Sequence, residues 1–186
     1  MEKIRCSWCE KDDLYRAYHD NEWGKPVYND ETIFEFLVLE SFQAGLSWYT
    51  ILKKRENFKL AFDDFNYRKI AEYTSEKTEE LMQNPGIIRN RLKILATVNN
   101  AKRFLEVQKE FGTFSEYIWS FVNGKPLINH PKTLKDVPAT SEISDALAKD
   151  LKKRGFKFLG STVVYAHMQA TGMVNDHLAD CWIRNQ

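Results

Sequence analysis

Apolar residues recur with a helical period along most of this chain, and strand-like alternation is weak everywhere. Asn29 or Asp30 caps a predicted helix reaching about Ala44, with Glu31 near its positive end. Ser47 caps a second helix that runs to about Phe62, and a short helix is expected near Tyr67–Tyr73. Ser75–Gln83 reads as a helix that stops at Asn84-Pro-Gly-Ile-Ile88. A long helix then runs from Arg89 to roughly Glu110, with Ile88, Leu92, Leu95, Ala96, Val98, Ala101, Phe104 and Leu105 keeping the period. Phe114–Val122 is the next helix, and residues 123–140, which hold three of the five prolines, form the longest predicted loop. Thr140 or Ser141 caps a helix ending at Lys152-Lys-Arg-Gly155, and Ser161 begins a last apolar helix stopped by Gly172. Residues 1–28 read as irregular, and Phe156-Lys-Phe-Leu159 is the only short strand candidate. The expected fold is all-α, in a single domain over residues 1–186.

One position interrupts this pattern. Glu40 lies in the apolar stretch Leu37-Val-Leu-Glu-Ser-Phe42 and shares a helical face with Phe36, Leu37, Gln43 and Ala44. Gly45 breaks the helix and Trp48 opens the next. Two readings are open: a structural ion pair with a nearby Arg, or a buried acid in the wall of a pocket. Trp8, Tyr15, Tyr18, Trp23 and Trp48 supply aromatic faces that, with a carboxylate, suit a flat cationic ligand. Core packing explains the same residues less specifically.

Composition narrows the classes. Hydrophobic residues make up 43% of the 186, enough for a substantial core, and no apolar run is long enough to span a bilayer. Met1-Glu-Lys-Ile-Arg-Cys6 has no signal-peptide core, so a cytoplasmic location with no membrane partner is expected. The net charge of +1 requires any nucleic-acid contact to be local. Three cysteines argue against a disulfide framework and leave metal binding open. Cys6 and His19 near one end, with His177 and Cys181 near the other, form a Cys2His2 set that suits tetrahedral Zn²⁺. A Cys6/Cys9/His177/Cys181 set is chemically as good. Four protein ligands leave no open position, so such a metal is structural. The turn at Asn84–Ile88 exposes backbone N–H groups able to hold a phosphate, with Arg89, Arg91 and Lys93 close behind; a plain helix hairpin with a solvated basic face is the alternative. No Walker loop, Rossmann fingerprint or serine–histidine–acid set is present.

Several motifs together resemble one family. They are Tyr15-x-x-Tyr-His-Asp-Asn-Glu-Trp-Gly24, Leu39-Glu-x-x-Gln-Ala-Gly-Leu-Ser-Trp48, Gly86-Ile-Ile-Arg89, Trp119-Ser-Phe-Val-Asn-Gly124, Leu151-Lys-Lys-Arg-Gly-Phe-Lys-Phe-Leu-Gly160 and Asn175-Asp-His177. In order and extent they are similar to 3-methyladenine DNA glycosylase I, of the helix-hairpin-helix DNA glycosylase superfamily. The resemblance implies a base-excision enzyme that hydrolyses the N-glycosidic bond of 3-methyladenine in alkylated double-stranded DNA. It implies a monofunctional product, an abasic site plus free 3-methyladenine, and a monomer is expected.

By the same resemblance, Glu40 is the catalytic residue of a base pocket with Tyr15, Tyr18 and Trp48, and Pro85, Gly86, Ile87, Ile88 and Arg89 form the DNA-binding hairpin within about residues 75–105. Cys6, His19, His177 and Cys181 hold a structural Zn²⁺ that joins segments 1–28 and 173–182. Where the family often has a small hydroxyl residue after the last pocket helix's tyrosine, this chain has Ala166 after Tyr165. No Asp follows the hairpin at Asn99 or Asn100, which agrees with a pocket-driven mechanism. A non-catalytic DNA-binding module predicts binding without base release. A zinc-stapled small-molecule enzyme predicts no salt-dependent DNA affinity.

Overall fold

A computed structural model describes residues 3–185; residues 1, 2 and 186 of the expected single-domain span lie outside the described residues. Helix α1 (Asp13–Asn21) corrects the expectation of an irregular N-terminal segment. Asp12 caps it by accepting the Tyr15 N–H, and Asp13 complements its positive end. At nine residues, with charges on its outer face, it offers too short a period to read from sequence.

Helix α2 (Asp30–Gln43) is the centre of the molecule. Asn29 caps it, and Ile33, Phe34, Phe36–Phe42 are all buried, so it is apolar nearly all round. It packs against α3 (Trp48–Ala61, capped by Ser47), α6 (Arg91–Phe111), α7 (Phe114–Ser120) and α9 (Ser161–Ala170). Short helices α4 (Tyr67–Ala71) and α5 (Ser75–Gln83) lie against α6, and α8 (Glu142–Lys153) against α9. The core is strongly aromatic: Phe34, Phe42, Phe58, Phe62, Phe65, Phe104 and Phe114 are almost completely buried, and Phe104 stacks on Phe114.

Helix α6 departs from its predicted face. Leu92 and Leu95 are 67% and 47% exposed, while Lys93, Ile94, Thr97 and Asn100 are buried. It begins at Arg91 with Asn90 as its cap, so the turn from α5 is two residues longer than expected. The predicted 123–140 loop contains a two-residue strand, Leu127–Ile128, paired in parallel with Val174–Asn175. Phe156–Leu159 is not a strand; Phe158 has φ of +58° and the segment is pinned to α6. Asn99 donates to the Gly155 carbonyl, while Asn100 both donates to the Lys157 carbonyl and accepts its N–H. No helix among the described residues is long and apolar enough to cross a membrane.

Candidate functional site

The aromatic residues singled out from sequence converge with Glu40 around one cavity of about 290 Å³. Tyr15 and Tyr18 come from α1, Glu40 and Gln43 from α2, Trp48 from α3, and Trp8 and Trp23 from the segments flanking α1. Tyr18 packs against Trp48, and Trp8 against both Tyr15 and Trp23. The far wall is formed by Ala166, on the helix the resemblance implies as the last of the pocket, and by residues the sequence does not single out as pocket: Leu134 and Val137 from the long loop, Gln169 from α9, and Asp176. Asp176 accepts hydrogen bonds from Asn129 (2.7 Å), the Tyr165 hydroxyl (2.7 Å) and Gln169 (2.8 Å). Its place in Asn175-Asp-His177 was the only sequence signal.

Glu40 is 4% exposed and forms no ion pair among the described residues, which removes the structural-pair reading. Its Oε2 is buried without a hydrogen-bond partner, as is the Trp48 indole N–H. Burial alone pushes the Glu40 carboxyl up to about 8. Arg55 on α3 is engaged by Glu22 and Glu35 instead. Burial also pushes the Tyr15 hydroxyl up to about 12 and the Tyr18 hydroxyl well above its ordinary value, so both stay protonated donors. A buried acid and an indole N–H without partners can therefore bond the edge of a flat heterocycle held between rings.

The turn between α5 and α6 is held against α3. Gly86 N–H is taken by the Asn84 side chain at 2.8 Å. No protein acceptor pairs with the N–H groups of Ile87, Ile88 or Arg89 among the described residues, while Asn90 N–H bonds the Ile88 carbonyl. Lys54 and Asn57 on α3 hold the turn from behind through the Pro85 and Gly86 carbonyls. Arg89 is exposed, but Arg91 is paired with Glu79 and Lys93 is buried, so the basic cluster read from sequence reduces mainly to Arg89.

Behind the aromatic wall, Cys6, His19, His177 and Cys181 are fully buried, with ligand atoms all within 4.8 Å of one another. Cys181 Sγ lies 3.5 Å from His19 Nε2 and 3.6 Å from His177 Nδ1; Cys6 Sγ lies 3.8 Å from His177 Nδ1. A tetrahedral ion about 2.3 Å from sulfur and about 2.0 Å from nitrogen keeps its ligand atoms at roughly these separations. The remaining ring nitrogens are held too: His19 Nδ1 by Asp20 at 2.8 Å and His177 Nε2 by the Trp23 carbonyl at 3.1 Å. This cluster can hold a metal ion. Cys9 faces away and its thiol donates to the Cys6 carbonyl. His177 and Cys181 meet through an irregular segment rather than a helical turn.

Residues 8–185 match the family model described as methyladenine glycosylase. The chain is similar to "DNA-3-methyladenine glycosylase 1" of Escherichia coli, 49% identical over 177 residues that cover 95% of both chains. It is 50% identical to "DNA-3-methyladenine glycosylase" of Haemophilus influenzae, over 95% of this chain and 96% of that one. Among solved structures it resembles 3-methyladenine DNA glycosylase I from Staphylococcus aureus, with a TM-score of 0.94 and 41% identity over 98% of this chain and 97% of that one. A tyrosine-to-phenylalanine variant of 3-methyladenine DNA glycosylase I, in complex with 3-methyladenine, gives the same TM-score at 40% identity, over 98% of each chain.

Proposed function

The chain belongs to the methyladenine glycosylase family, and from that premise we propose that it hydrolyses the N-glycosidic bond of 3-methyladenine in alkylated double-stranded DNA. The products are free base and an abasic site. The observation that carries the assignment of the site is Glu40: a buried acid with a free oxygen and no counter-ion, inside an aromatic cavity.

The lesion must leave the stack to reach that cavity. The open N–H groups of Ile87–Arg89, within the helix-hairpin-helix turn Pro85–Arg89, hold a phosphate of the flanking backbone. The base enters the cavity lined by the Tyr15, Tyr18 and Trp48 rings. N3-alkylated adenine in DNA is cationic, so its electron deficiency already favours departure. Glu40 gives up its proton to solvent as the cationic base enters, and its carboxylate then accepts hydrogen bonds from the base edge and offsets the charge; the Trp48 N–H can serve an acceptor on the same edge. Water attacks the sugar C1′, the C1′–N9 electron pair goes to the base, and the base leaves neutral. The water's proton passes to solvent. Lys93, whose ammonium is occupied by two carbonyls, is not free to attack the sugar, which supports a monofunctional outcome.

The Cys6, His19, His177 and Cys181 donors suit a structural Zn²⁺. Bound there, the metal supplies folding free energy. All four positions are filled by protein, and Asp20 and Trp23 fix the imidazoles.

The test is incubation with methylated duplex, followed by chromatography of the released bases. Free 3-methyladenine with an unnicked strand is expected, and Glu40→Gln lowers its release while leaving affinity for undamaged duplex nearly intact. Equal loss of both would make Glu40 structural. Binding without base release, or strand cleavage trapped by borohydride, would refute the reaction.

A further inference from the structure

Lys93 is buried, yet no carboxylate pairs with it among the described residues. Its Nζ donates instead to the carbonyls of Phe42 (2.9 Å) and Ala44 (3.0 Å). Those two groups end α2, whose last turn contains no basic residue of its own. The ammonium thus stands at the negative end of that helix, the favourable end for a cation. The chain leaves the helix at Ala44 and turns through Gly45 at φ of +83°. Ala44, Gly45 and Leu46 then border an exposed groove that shares Glu40, Gln43 and Ala166 with the base cavity.

The other end of the same residue points to the phosphate-holding turn. Lys93 is the third residue of α6, and its backbone N–H is bonded to Asn90 Oδ1 at 3.1 Å. Asn90 closes the 84–90 turn through the Ile88 carbonyl. One side chain therefore ties the turn with open N–H groups to the segment that ends the Glu40 helix. A buried lysine here costs desolvation that a methionine would avoid. What it adds is a fixed spacing.

We propose that Lys93 is a positioning residue, which sets the Ala44–Leu46 turn and the Glu40–Gln43 lip of the cavity at a fixed distance from the DNA-holding turn. This rests on the glycosylase reading above. With the tie intact, a phosphate gripped at Ile87–Arg89 delivers the extruded nucleotide in register with Glu40. Without it, the cavity still binds a free base, but the attached base arrives misplaced.

The experiment compares the parent with K93M and K93R. Single-turnover release of 3-methyladenine from methylated duplex is measured beside affinity for free 3-methyladenine, read by tryptophan fluorescence. A misplacement of about 1 Å costs on the order of 100-fold in rate, so K93M should slow release by roughly that factor. Affinity for the free base should stay within about twofold, and K93R, which can still reach both carbonyls, should recover most of the rate. Release by K93M within a few-fold of the parent overturns the proposal. So does parallel loss of free-base affinity, or a folded K93R as slow as K93M. If K93M does not fold, K93Q, able to bond one carbonyl, takes its place under the same outcomes. Failure of the glycosylase reading is distinct: the parent itself would release no 3-methyladenine.

Discussion

Glu40 has a proton affinity set by burial alone, and this makes its effect on stability a function of pH. The native carboxyl titrates at about 8, far above the ordinary carboxylate range, so the folded chain holds a proton that the unfolded chain has released. Native stability from this group is therefore fully present below the unfolded value and is lost as pH rises to about 8. Glutamine does not titrate, so its own burial is a constant offset. Thermal melts of Glu40→Gln against the parent should show a gap in favour of the variant that widens from pH 5 to pH 8. The widening should be on the order of 3–5 kcal/mol, since each tenfold change in proton affinity is worth about 1.4 kcal/mol. A gap that does not change with pH would mean that Glu40 is ionised at pH 5. Much of this residue's setting was legible in the chain: an acid on an apolar face, before a glycine break and an aromatic. That it lacks a partner was not, because the pattern does not say which acids an arginine such as Arg55 engages, and Arg55 is held by Glu22 and Glu35.

At the scale of elements, α6 shows where periodicity misleads. The apolar pattern selects Leu92 and Leu95 as inward, and both face outward. The true inner face hides polar residues, each with a local partner: Lys93 on the end of α2, Thr97 on the Lys93 carbonyl, and Asn100 on Lys157. A reading that weights only apolar residues rotates the helix toward its exposed leucines. Helix α1 is hard to read for a related reason, because Tyr15 and Tyr18 line the aromatic cavity and His19 joins the Cys/His cluster rather than a core stripe. Helices α2, α3, α5 and α9, whose caps and breaks are local chemistry, fall within about two residues of their predicted limits. The corrected face of α6 makes a paired prediction. Ile94→Ala, at a position with no exposure, should cost about 2–5 kcal/mol in urea unfolding. Leu92→Ala should stay within about 0.5 kcal/mol of the parent. Equal costs would contradict the observed rotation of the helix.

Across the whole molecule, the two ends of the chain meet behind the base cavity. The Trp182 N–H bonds the Ile4 carbonyl, and the Leu178 N–H points at Cys6 Sγ. Trp8 packs edge-on against His19 and Trp23 against His177, so the two indoles that back the cavity lean on side chains of the Cys/His cluster. The cluster therefore supports the pocket as well as the termini. The eligible residue types were legible in the sequence; spacing alone left His19 and Cys9 open, because it does not say which way a side chain faces, and only the family resemblance pointed to His19. Cys9 points its thiol at a backbone carbonyl, whereas His19 presents Nε2 to Cys181 and is braced by Asp20. Treatment with a strong chelator should then lower both the melting temperature and the affinity for free 3-methyladenine, and added Zn²⁺ should restore both. Metal analysis separates the ligand sets. Cys9→Ser should retain one zinc per chain with a melting temperature near the parent's, and His19→Ala should lose both the metal and the response to chelator. The reverse result would move the fourth ligand to Cys9 and would require the 6–9 turn to rotate its thiol inward, displacing the His19 ring from between Trp8 and His177.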